Sequence, residues 1–284
     1  MSKTAIITDS TAYIPQKLID QYDIKVAASY SIWDGGKEMY RDGTEMLPSE
    51  FYARLQKSKD LPTTSQATAA DFIEIYKPLV EAGRSILAIL VSPKLSGTMQ
   101  SASIAKEDFP DARIELVNSM SASMELGFQV LAAARAVEAG KSFEEVVELA
   151  KKAKNHTGVF FVVDTLEYLH RNGRIGGAKR LLGTALSLKP LLLVEDGQVE
   201  AFENVRTKTK AKARLLDIMG EKLEGKHNVR IAGLHAATEE EAIELLREAE
   251  ERFNPIEAIL SEVSPAVGAN VGPGTVGLAY STDL

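Results

Sequence analysis

The 284-residue chain has no cysteine. Disulfide bonds, thiolate zinc sites and cysteine nucleophiles are excluded together. Histidine is scarce as well: His156, His170, His227 and His235 are scattered and share no metal-ligand spacing. No apolar run approaches the roughly 20 residues that span a bilayer, and the first residues lack the layout of a secretory leader. These absences lead us to expect a cytoplasmic protein with no stable membrane insertion. Positive charge is in deficit too, with 33 Lys and Arg against 40 Asp and Glu. That balance suits neither nucleic-acid phosphates nor an anionic lipid surface. Neither a Walker A sequence nor a Gly-x-Ser-x-Gly elbow is present.

What is present alternates between two patterns. In the first half, short apolar segments alternate with helical ones. Ala5 to Thr8 reads as a strand, and a helix starts near Pro15. Ile24 to Trp33 reads as a second extended segment. Ile86 to Val91 is apolar on both faces, as in a buried parallel strand, and Arg113 to Asn118 is another strand. Thr68 with Asp71, and Ser142 with Glu145, have the spacing of helix capping boxes. In the second half, Leu191 to Glu195 and Gln198 to Val205 flank Asp196-Gly197, a strong hairpin signal. Thr238 and Glu241 open an amphipathic helix with Ala242, Leu245, Leu246, Ala249 and Phe253 on its apolar stripe. We therefore expect an α/β protein of two domains. Residues 1–156 form an N-terminal domain on a parallel sheet, and residues 157–284 an α+β domain on a largely antiparallel sheet.

Four short patterns place hydroxyls or glycines at strand ends, where open α/β sheets bind ligands. They are Asp9-Ser10-Thr11, Thr63-Thr64-Ser65-Gln66, Leu95-Ser96-Gly97-Thr98 and Gly272-Pro273-Gly274. Gln100-Ser101-Ala102, Asp164 to Leu169, Asn172-Gly173-Arg174-Ile175, Lys189-Pro190 and Val205-Arg206-Thr207 complete an ordered set. This set resembles the DegV family of bacterial fatty-acid-binding proteins along the chain from residue 4 to about 281. The resemblance implies a carrier, not an enzyme. It would hold one long-chain fatty acid such as palmitate between its domains, with no cofactor and no metal. It would present the carboxylate to a separate fatty-acid kinase, which makes acyl-phosphate for phospholipid synthesis.

By the same resemblance, Thr64 and Ser96 hold the carboxylate, and Asn270 stands where family members often carry histidine. Asparagine cannot become a cation, so no histidine-linked pH step in binding is expected. Thr63, Ser65, Gln66, Gly97, Thr98, Gly272 and Gly274 are supporting loop residues, and Arg174 and Arg206 are candidates to meet the kinase or its phosphate. From the residues alone, Ser96 reads first as an ordinary helix cap, and Gly272-Pro273-Gly274 reads equally as a tight turn. Asp9 reads as a cap, since no second carboxylate lies at metal-ligand spacing. Leu95, Phe161 and Ile32 are candidate tail contacts that also suit plain core. Between residues 170 and 214, ten basic residues face four acidic ones. Lys208, Lys210 and Lys212 among them read as a solvated helix face. Two rival functions remain open at this point. One is a phosphotransferase or hydrolase acting on a small phosphorylated molecule, and the other is an interaction protein with no ligand.

Overall fold

The computed structural model describes residues 4–58, 61–183 and 188–284. Among them, thirteen strands form three sheets. In chain order the strands are β1 Thr4–Asp9, β2 Lys25–Ala27, β3 Tyr30–Trp33, β4 Glu38–Arg41, β5 Thr63–Ser65, β6 Ser85–Leu90 and β7 Ile114–Asn118. They continue with β8 Thr157–Val162, β9 Lys189–Glu195, β10 Gln198–Val205, β11 Arg230–His235, β12 Glu257–Glu262 and β13 Val276–Ser281. The helices are α1 Gln16–Gln21, α2 Pro48–Leu55, α3 Ala69–Glu81, α4 Thr98–Glu107, α5 Ser123–Glu138, α6 Phe143–Ala153, α7 Glu167–Arg171, α8 Lys208–Leu223, α9 Glu239–Phe253 and α10 Pro265–Val271.

The first sheet has the order β2-β1-β6-β7 and is parallel throughout. Strand β6 shows why: Ile86, Ala88 and Leu90 face α3 and α4, whereas Leu87 and Ile89 face α5, so both surfaces are covered. The second sheet has the order β10-β9-β8-β13-β11-β12 and is antiparallel except where β11 meets β12. One of its faces packs on α8 and α9 through Leu215, Met219, Leu245 and Leu246. Helix α5 lies between the two sheets. Its Met124, Phe128 and Leu131 share one core with Ile6, Leu87 and Ile89 on one side and Val159, Leu234 and Ala279 on the other.

Three expectations need correction. Ile24 to Trp33 is not one extended segment. Strand β2 joins the parallel sheet, and β3 joins a separate sheet of order β4-β3-β5. The Thr238–Glu241 capping box does not form. The Thr238 hydroxyl instead donates to the Thr275 carbonyl at 3.2 Å, and Glu241 pairs with Lys208 at 2.9 Å. Lys208 and Lys212 are thereby tied to α9 instead of being free in solvent. The other two boxes form as expected, with Thr68 and Ser142 accepting from the third backbone N–H of α3 and α6. The Asp196-Gly197 turn is also as expected, with φ of 49° and 79°. No helix of the described residues is long and apolar enough to cross a membrane.

Candidate functional site

The strand ends of the parallel sheet, the inner face of the six-stranded sheet and helix α10 enclose a cavity. It holds about 950 Å³ of space free of atoms, its opening to solvent included. Much of the wall is aliphatic or aromatic, including Val91, Leu95, Val159, Phe161, Leu234 and Val263. Leu95 and Phe161 line it as expected, but Ile32 does not; it lies in β3, opposite Met39 and Thr63.

The polar wall brings together residues far apart in sequence. Thr64 sits on β5, opposite Ser31 of β3, and the neighbouring Ser65 and Gln66 also reach the cavity. Ser96 precedes α4, whose N-cap is Gly97 with no side-chain cap bond. Ser96 is therefore not a helix cap. Its hydroxyl lies 2.9 Å from that of Thr98 and faces the cavity. The first N–H groups of α4 have no carbonyl one turn earlier, so this end favours an anion. The side-chain amide of Gln66 packs against Gly97, where an added Cβ would come within 3.0 Å of it.

Asn270 is buried in the last turn of α10. Its Nδ2 donates to the Ala266 carbonyl at 2.8 Å, and its Oδ1 has no partner. Arg174 lines the opening and is exposed. Its Nε donates to the Leu95 carbonyl at 3.2 Å and its Nη1 to the Asn172 carbonyl at 2.6 Å. No carboxylate among the described residues is within ion-pair distance of it. By contrast, Arg171, Lys189, Lys208, Lys212 and Arg214 of the same basic segment all pair with acids. A positive charge held only by backbone carbonyls is thus available beside the hydroxyl cluster.

Several expected residues stand behind this wall. Thr63, Gly97, Thr98, Gly272 and Gly274 do not line the cavity, and Arg206 is exposed just past β10, also off it. Gly272 has φ of 77°, and a Cβ there would come within 2.3 Å of the Tyr168 ring. A Gly272→Ala variant should therefore lose about 2 kcal/mol of stability, from backbone strain and overpacking, measured as a lower urea midpoint. An unchanged midpoint would show that the turn tolerates a side chain.

Asp9 behaves as a cap: its carboxylate accepts from the Thr11 N–H and hydroxyl and from the Val91 N–H. Burial pushes its pKa up, outweighing those bonds. Thr11 of the Asp9-Ser10-Thr11 pattern lines the cavity, and sequence reasoning missed Tyr13, Ser29 and Ser123, which line it too. Among the described residues, no group of three or more His, Asp or Glu could hold a metal ion.

A family model described as an uncharacterised protein of the DegV family matches residues 3–283. The chain belongs to the DegV family. It is 38% identical over 280 residues to a DegV domain-containing protein of Streptomyces coelicolor, with 98% of each chain covered. It is 29% identical over 277 residues to the protein DegV of Bacillus subtilis, covering 97% of this chain and 98% of that one. Among solved structures, a fatty-acid-binding DegV family protein from Thermus thermophilus superposes with a TM-score of 0.93 and 35% identity, covering 99% of this chain and 100% of that one. The Bacillus subtilis DegV structure, a fatty acid binding protein, superposes with a TM-score of 0.90 and 29% identity over 100% of both chains. DegV structures thus share the α/β architecture described above.

Proposed function

We propose that the chain is a cytoplasmic, non-catalytic carrier that binds one long-chain fatty acid. On this reading the acid lies between a unit of residues 1–156 and one of residues 157–284. The observation that carries it is the pairing of an apolar cavity with a polar wall that holds the hydroxyls of Thr64 and Ser96 and the unneutralised Arg174. Relatives that bind fatty acid support it.

The energetics divide the work. About 14 buried methylenes at about 0.8 kcal/mol each supply about 11 kcal/mol gross. That term offsets the lost freedom of the ligand and the desolvation of its carboxylate. Tail burial sets affinity, while Thr64, Ser96 and Asn270 set direction. The carboxylate is thereby kept at the opening for a separate fatty-acid kinase, with Arg174 and Arg206 exposed toward it. The acyl-phosphate so made would feed phospholipid synthesis.

The test is to denature the purified protein, extract it and identify what was bound by mass spectrometry. A near-stoichiometric long-chain acid such as palmitate is expected. Clean protein that also takes up no added fatty acid would overturn the reading in favour of a ligand-free interaction protein. In the same assay Ser96→Ala should weaken binding about tenfold, the worth of one hydrogen bond to a charged group.

A further inference from the structure

We propose that the side chain of Tyr13 is the partition that limits how long an acyl chain the cavity accepts. This rests on the fatty-acid reading above and adds to it the residue that selects among ligands.

A second, wider space lies next to the cavity, a groove of about 1,300 Å³ open to solvent. It runs between edge strands of the two large sheets, β2 and β12, and beneath α1. Its wall is partly aliphatic, with Ile14, Ile19, Ile24, Val26 and Leu260. Tyr13 is the one described residue that lines both spaces.

The local structure holds the ring in place. Tyr13 follows the 3₁₀ turn Ser10–Ala12 and has φ of 54° and ψ of 25°. That left-handed conformation is unfavourable for a bulky side chain and persists only where the surroundings enforce it. Here the Ser261 hydroxyl donates to the Tyr13 carbonyl at 2.6 Å, clamping the segment to β12. The ring, 8% exposed, belongs to the core that contains Trp33, Tyr52, Phe161 and Val263. Its hydroxyl lies near Ser264 without a hydrogen bond of good geometry. The ring is therefore held as a wall by packing and by its backbone.

An acyl tail that fills the cavity meets this wall. Each further methylene that finds apolar surface is worth about fourfold in affinity, and one that finds none gains nothing. With the ring gone, the tail continues along the aliphatic side of the groove.

The experiment is competition binding of saturated fatty acids from about fourteen to about twenty-four carbons. The proteins compared are the native chain, Tyr13→Ala, Tyr13→Phe and Leu234→Ala, the last being a residue that lines the cavity alone. The native chain should show a length beyond which affinity falls. Tyr13→Ala should move that limit outward by about four carbons and raise affinity just beyond the native limit at least about tenfold. Tyr13→Phe should keep the native limit, and Leu234→Ala should leave it unmoved. A native-like limit in a folded Tyr13→Ala protein would overturn the partition, as would an equal shift in Leu234→Ala. Tyr13→Leu serves the same comparison if Tyr13→Ala does not fold. Absence of binding by the native chain at every length overturns the fatty-acid reading and this inference with it.

Discussion

At pH 7, Glu125→Gln should be more stable than the native chain by about 3 kcal/mol. Glu125 sits in the first turn of α5, 7% exposed, between the two large sheets. The Ser121 hydroxyl donates to it at 2.5 Å, and the helix N-terminus also favours its anion. Burial outweighs the hydrogen bond and raises its pKa from 4.5 to about 8. The folded protein therefore keeps a proton at neutral pH that the unfolded chain has released. A group raised in this way lends stability below its unfolded value and loses it as pH climbs. Stability should fall as pH rises from about 4.5 to about 8, then level off. Glutamine keeps the shape without the ionisation, so the variant should lack this slope. Urea unfolding of both proteins at several pH values between about 5 and about 9 measures it. Parallel curves would mean that Glu125 is solvated well enough to ionise in the fold.

The second large effect is on ligand affinity. Val159 lies in the middle of β8, two residues before Phe161, so both point from the same strand face into the cavity. Val159→Phe should fill part of the volume assigned to the tail on the fatty-acid reading. Exclusion of about five methylenes, at about 0.8 kcal/mol each, costs about 4 kcal/mol, or about a thousandfold in affinity for long chains. Short acids, which never reach the blocked part, should bind almost as before. Titration with acids of two lengths distinguishes this from general damage. Equal losses at both lengths would indicate a distorted head-group site, and no loss would place the tail elsewhere.

Much of the fold could be read from the sequence because its signals were local and long enough. The Asp196-Gly197 hairpin, the Ser142 capping box of α6 and the doubly apolar β6 each carry their own signal within a few residues. The small sheet β4-β3-β5 does not. Its strands have three or four residues, and Glu38-Met39-Tyr40-Arg41 and Thr63-Thr64-Ser65 are too short and too polar to show alternation. Helix α10, with Pro265 and Gly268 within seven residues, likewise looks like a loop. The site divides in the same way. Thr64, Ser96 and Asn270 were marked by motif resemblance, and the fold brings them to one cavity. Tyr13 and Ser123 had no such mark, because a residue gains that role only from the packing of distant segments. Glu125 and Gln129 did leave a trace, as two polar residues one turn apart in a helix otherwise apolar on almost every side.

The position of α5 has a consequence for how the proposed fatty acid would enter and leave. Its apolar side chains belong to one core with residues of both large sheets. Swinging residues 1–156 away from 157–284 like a clamshell would expose the side of that core where α5 meets Val159, Leu234 and Ala279 and forfeit its burial energy. The small sheet carrying Thr64 is only three strands of three or four residues. Its outer strands β4 and β5 are half-buried or exposed, although β3 between them is buried, and such short edge elements open locally at far lower free energy than a central core. Exchange of the proposed fatty acid is therefore expected at this rim, and its rate should be able to change while the global stability of the protein stays constant.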